Sequence, residues 1–181
     1  MRRSDRQITD IGIIDDVFER AKIVRIGFID EGVDGGQVYL VPVNYGYEKT
    51  DSGVRLYFHG AKAGRKYELA LANPRVGLEL DVDYQLVEGP LACNYGALYR
   101  SIIGNGRLCV VNDRDEALHG LSLIMDTALM DPAHRGTTHM GTAHMDASVG
   151  AHPWEFSPEI VERTAVFRLD VDSFTCKSRG K

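Results

Sequence analysis

The chain has 181 residues, of which 44% are hydrophobic and 26% charged, and it carries a net charge of −5. That profile suits a single soluble globular domain over 1–181, and the acidic balance argues against a general nucleic-acid binder. No run approaches the ~18 apolar residues of a membrane span, and Met1-Arg2-Arg3-Ser4 leads into no signal-peptide pattern. Cys93, Cys109 and Cys176 form no CxxC pair, so a reducing cytoplasm is the expected setting, with Cys93 and Cys109 as small buried hydrophobes. There is no Walker loop, HExxH or GxSxG motif.

Thr9 or Asp10 can cap a helix through Arg20, with Ile11, Ile14, Val17 and Phe18 at helical spacing. Residues 22–29 read as a strand with Val24, Ile26 and Phe28 on one face, and 30–36 as a turn rich in Asp and Gly. Residues 37–47 form the next strand, and Pro42 inside it points to an edge or a bulge. Then Val54, Leu56 and Phe58 alternate with Arg55, Tyr57 and His59, the period-2 signature of a half-buried strand.

At Gly60 the period changes, and residues 61–72 suit a helix stopped by Asn73-Pro74. Lys62, Arg65 and Lys66 then fall at i, i+3 and i+4, sharing one face of its first turns. The helix dipole repels cations placed there, and a bound anion reverses that sign. Free N–H groups, an arginine fork and two lysines make a phosphate seat, while a solvated basic face fits the spacing equally well.

Residues 76–82 are a further strand, and 83–98 read as irregular, with Gly89-Pro90 and Asn94-Tyr95-Gly96 marking loops. Residues 99–111 are a long strand in which Gly104 and Gly106 suggest a bend or bulge. A helix over 113–130 has Ala117, Leu121, Ile124, Met125 and Ala128 as its stripe, and 161–174 closes the fold as a strand. About six strands joined mostly by hairpin-length turns, with two or three helices, predict a mainly β, antiparallel barrel. Residues 131–158 are long for a loop and are expected to be an irregular arm or lid.

The segment Tyr57-Phe58-His59-Gly60-Ala61-Lys62-Ala63-Gly64-Arg65-Lys66, followed by Asn73-Pro74-Arg75-Val76, resembles the core motif of the FMN-binding split barrels related to pyridoxamine 5'-phosphate oxidase. Pro42-Val43-Asn44-Tyr45-Gly46, Ala92-Cys93-Asn94-Tyr95-Gly96 and the run from Tyr99-Arg100-Ser101 to Arg107 resemble the nitroimidazole-resistance branch of that family. The resemblance covers about residues 5–130 and resumes at 153–176. It implies a homodimer of split β-barrels with FMN, or alternatively FAD, in the cleft between subunits.

Under that resemblance Arg65 and Lys66 grip the flavin phosphate, with Lys62 as a third cation. Val41, Pro42, Val43 and Asn44 lie along the flavin ring, Tyr99, Arg100 and Ser101 form the second flavin-facing strand, and His59 stands beside the ring as the candidate catalytic group. The implied activity is an FMN-dependent oxidoreductase acting on a small electron-poor substrate such as a nitroaromatic. The end of the chain lacks the Trp- and Arg-containing tail of the pyridoxamine phosphate oxidases, which argues against pyridoxamine oxidation. Rival readings are a non-catalytic flavin or haem sensor and a deazaflavin enzyme on the same barrel. His134, His139 and His144 recur every five residues, about 140° apart on a helix, so they form no helical face; no metal site is expected. Trp154 is expected in the core or a dimer interface.

Overall fold

The computed structural model describes residues 3–32, 34, 36–129 and 154–180. Strand β1 (Gln7–Ile8) precedes helix α1 (Ile11–Arg20) and strands β2 (Val24–Asp30), β3 (Gln37–Val43), β4 (Gly46–Thr50) and β5 (Gly53–Ala61). Helix α2 (Arg65–Ala72) leads to strands β6 (Arg75–Val87) and β7 (Gly96–Val110). Helices α3 (Arg114–Leu129) and α4 (Pro158–Arg163) come before strand β8 (Thr164–Arg179). All pairings are antiparallel in the order β3-β2-β6-β7-β8-β5-β4, with β1 against β8.

The outermost strands of that order, β3 and β4, are neighbours in sequence, joined only by Asn44 and Tyr45. The steps from Val43 to Gly46 span at most about 10 Å, so the sheet has to roll until its two edges approach. Among the described residues those edges are not paired with one another. The result is the expected antiparallel split barrel. Pro42 lies in β3 opposite Arg25, on an edge strand, where its missing N–H does no harm. Tyr45 is buried, and its hydroxyl donates to the Phe18 carbonyl at 2.6 Å, which pins the link to α1.

The barrel interior takes Val24, Ile26 and Phe28 from β2, Leu56 and Phe58 from β5, and Phe167 and Leu169 from β8. Val17 and Phe18 of α1 and Leu69 and Ala70 of α2 close it. Asp10 caps α1 by accepting from the Ile13 N–H, as its position predicts. Helix α3 packs on the outside of the sheet, where Ala117, Leu121 and Ile124 cover Tyr57 and Val166. The outer face of β5 is therefore not simply solvated. No helix among the described residues is long and apolar enough to cross a membrane.

Several expectations need correction. The strand expected over 37–47 is broken at Asn44-Tyr45, and the short strand β1 was not expected, so the described residues form eight strands rather than about six. Residues 83–98 are irregular only over 88–95, the hairpin tip with a 3-10 turn at Ala92–Asn94: Gln85, Leu86 and Val87 pair with Leu98, Ala97 and Gly96 beyond a bulge at 82–85, where Asp83 has φ 60°. The strand expected over 161–174 is preceded by α4 and runs on to Arg179. Cys93 is exposed and Cys109 half-buried, while Trp154 is half-buried and donates from Nε1 to Asp126 of α3 at 2.9 Å. The arm over 131–158 lies outside the described residues as far as 153, and so do His134, His139 and His144.

A charged network fastens α3 to the sheet. Arg55 pairs with Asp170 at 2.9 Å and Glu48 at 3.2 Å, and Arg168 pairs with Glu116 at 2.7 Å and Asp170 at 3.0 Å. His119 of α3 bonds Glu48 of β4; that bond raises the pKa of the imidazole and lowers that of the carboxyl. A raised histidine pKa contributes stability that is complete below its unfolded value, about 6.5, and is lost as pH climbs through the folded value. Urea unfolding should therefore show stability falling above neutral pH, and His119→Gln should flatten that slope. Gly104→Ala should cost about 1–3 kcal/mol, because a Cβ there would lie 2.6 Å from the Ser173 carbonyl oxygen and 2.9 Å from Phe174 Cβ.

Candidate functional site

Strand β5 stays paired with β8 as far as Ala61, opposite Thr164, so the helix expected from residue 61 starts only at Arg65. Lys62 belongs to the intervening turn rather than to a helical face. Gly64 makes the turn at φ 88°, in the left-handed region that favours glycine, and no side chain caps the helix behind it. The Glu68 N–H bonds back to the Gly64 carbonyl. The first-turn amides ahead of it have no intrahelical acceptor, which is the donor set an anion uses.

The three cations take three directions. Arg65 turns to the β2–β3 hairpin: Nε and Nη2 donate to Asp30 Oδ2 at 3.1 and 2.8 Å, and Nη2 donates to Gln37 Oε1 at 2.8 Å. Its guanidinium lies 4.5 Å from the centre of the Tyr39 ring. Lys66 folds back across the strand end and donates to the His59 carbonyl at 3.0 Å, above the rings of Phe58 and Phe167. A Cβ at Gly60 would lie 2.5 Å from Lys66 Nζ, so glycine is what lets the lysine cross. Lys62 instead lines a cleft of about 290 Å³ with Arg114, Ala117 and Glu162, between the start of α3 and the length of α4.

Strand β4 covers β5 only from Gly53 to Tyr57, whereas, among the described residues, 58–61 pair with β8 alone. The other edge of that stretch is open to the split, and His59 sits on it. His59 is exposed at its surface, but the desolvation of its ring by the neighbouring protein and the positive charge of Lys66 push its pKa down, which favours the neutral imidazole. Burial likewise lowers that of Lys66. On the far side of the split, Val41 and Val43 pack inward while Pro42 is exposed, and Asn44 Nδ2 donates to the Lys22 carbonyl at 3.0 Å.

Tyr99, Arg100 and Ser101 are not beside these residues. Strand β7 is separated from β3 by β2 and β6, about 14 Å across the sheet. Along it, Arg100 is level with Val82 of β6 and Val41, through Ile26, with Leu78, about 13 Å apart. Arg100 is held by Asp83 and, at 2.8 Å, by Asp16, while Arg20 shares both carboxylates. With Tyr99, Leu98, Asp83, Ser178 and Arg179 it lines a cavity of about 700 Å³.

Two groups thus emerge: His59, Arg65 and Lys66 around the upper split with β3, and Tyr99–Ser101 elsewhere on the sheet. The sequence reading missed Asp30, Gln37 and Tyr39, which hold Arg65. The only signal was the register that sets Asp30 opposite Gln37.

The profile of the pyridoxamine 5'-phosphate oxidase family matches residues 11–177. Among solved structures, a candidate 5-nitroimidazole antibiotic resistance protein of Bacteroides thetaiotaomicron is similar at 25% identity and TM-score 0.70, over 95% of this chain and 86% of that one. The flavocytochrome Anf3 of Azotobacter vinelandii is 19% identical with TM-score 0.72, over 100% of this chain and 72% of that one. The FAD and haem binding protein of Mycobacterium smegmatis is 16% identical with TM-score 0.70, over 97% and 74%. The last two establish likeness of fold alone. Among curated proteins none matches. With the matched region spanning nearly the whole rolled sheet, the chain belongs to the pyridoxamine 5'-phosphate oxidase family of split-barrel proteins.

Proposed function

We propose that this protein binds a flavin, FMN before FAD, in the split between β3 and the open end of β5, and passes electrons to a small electron-poor substrate such as a nitroaromatic. The observation that carries the reading is the start of α2: an uncapped helix N-terminus with Arg65 and Lys66 on its first turn, beside a strand edge that is unpaired among the described residues. This donor set suits a phosphate monoester, and strand positions 37 to 41 give about 13 Å between the seat and the ring wall. The names of the similar proteins from Bacteroides, Azotobacter and Mycobacterium fit a flavin or haem partner and a nitroimidazole-related role.

The flavin, when bound, supplies the two-electron chemistry. Arg65 and the α2 amides hold its phosphate, and Val41 to Asn44 offer the ring an apolar wall. His59 faces the substrate side as a neutral imidazole; an anion near Lys66 would raise its pKa and ready it to hold a proton. Lys62 shields the α3–α4 side rather than the phosphate.

Tyr99, Arg100 and Ser101 serve the same site only in a homodimer, where the cavity end of one chain lies against the split of the other. The spacing across the sheet supports this arrangement, since one chain alone does not bring the two groups together.

Purified protein should be yellow, or gain flavin absorbance on adding FMN. A colourless protein that never does so, or one showing a Soret band instead, contradicts the proposal. Arg65→Ala with Lys66→Ala should weaken FMN binding by roughly 10- to 100-fold, the size expected for a lost charge-assisted hydrogen bond, with the fold retained. Gly60→Ala should also loosen FMN, because it displaces Lys66.

A further inference from the structure

A guanidinium has five N–H donors, and three of those of Arg65 are already committed. Nε–H and one Nη2 hydrogen go to Asp30 Oδ2, and the second Nη2 hydrogen goes to Gln37 Oε1. Both remaining donors are on Nη1. The plane is also fixed from one face, since Arg65 Cζ sits 4.5 Å from the Tyr39 ring centre. The acceptors are themselves rigid: Asp30 and Gln37 are opposite each other in the β2–β3 ladder, and Asp30 Oδ1 accepts from the Gly32 N–H at 3.2 Å. The Asp30 side chain is 14% exposed against 41% for Arg65, so the carboxylate is the anchor and the arginine the held group.

We infer that Asp30, assisted by Gln37, is a positioning residue for the phosphate seat, presenting the Nη1 edge of Arg65 to the ligand; this rests on the flavin reading above. Two effects of the carboxylate oppose each other. Its charge offsets that of Arg65 and repels a phosphate. Its grip removes the freedom of a long side chain before the ligand arrives, so that freedom is not lost on binding. The geometry gives the second effect the larger weight, because three bonds and a ring contact restrain one guanidinium while Asp30 has its back to the free edge. The sign of the mutational effect separates the two.

The test is a set of fluorescence titrations of FMN and of riboflavin, which lacks the phosphate, into wild type, Asp30→Ala, Gln37→Ala and Arg65→Ala. Asp30→Ala should weaken FMN binding roughly three- to tenfold, the scale of one immobilised side chain, despite removing a negative charge. Gln37→Ala, which changes no charge and lies on an exposed edge strand, should weaken it in the same direction. Riboflavin affinity should stay unchanged in both, and Asp30→Ala should add nothing in an Arg65→Ala background. Tighter or unaltered FMN binding in Asp30→Ala overturns the positioning role while leaving the flavin reading intact, provided Arg65→Ala still weakens FMN. Equal loss of riboflavin affinity also overturns it, as the mark of a merely structural residue. Wild type that binds neither flavin overturns both.

Discussion

Two residues, Asn44 and Tyr45, carry the chain from one edge of the sheet to the other, and that short link forces the sheet to roll. Everything at the candidate site follows from how incompletely the roll closes. Strand β4 is too short to cover β5, so residues 58–61 keep an edge that no other described strand pairs, facing β3 across the split. Helix α2 begins where that edge ends, and its free amides and two cations lie beside the opening. An uncovered strand edge exposes backbone groups to other chains; here Lys66 occupies the His59 carbonyl, which covers part of it.

Electrostatics refines this picture. A net charge of −5 spread over the molecule makes two adjacent cations a local exception. Yet Arg65 is partly neutralised by Asp30, and burial makes Lys66 a weaker holder of its proton. The seat is thus less positive than a sum of formal charges suggests and depends more on direction than on magnitude. Directed donors on a rigid frame discriminate better between phosphate and other anions than a diffuse basic patch does.

Much of the barrel was legible in the sequence because its inner face repeats with period two. Val24, Ile26 and Phe28, and again Leu56 and Phe58, alternate cleanly and are buried as expected. The β6–β7 hairpin was not, because the bulge at Asp83 slips the alternation and the Gly and Pro residues of its tip made the whole stretch look like loop. Ala61, Lys62 and Ala63 are sound helix formers, but pairing of β5 with β8 overrode their preference as far as residue 61. Pro42 drew attention as the break in a strand whose real interruption lies two residues later, with no glycine or proline to mark it. At the site, the Arg-Lys pair and His59 were visible as residue types in a short motif. The partner of Arg65 was not, since Asp30 lies 35 positions away and meets it only through tertiary packing. The distance across the sheet between β3 and β7 was likewise hidden, because spacing along the chain says nothing of strand order.

The most direct measurement is a crystal structure of the protein grown with FMN. The account predicts a phosphate about 3 Å from Arg65 Nη1 and the first amides of α2, with the ring along residues 41–44 and covered by a second chain. A flavin bound elsewhere, with the side chains of residues 62–66 extended into bulk solvent, would contradict it.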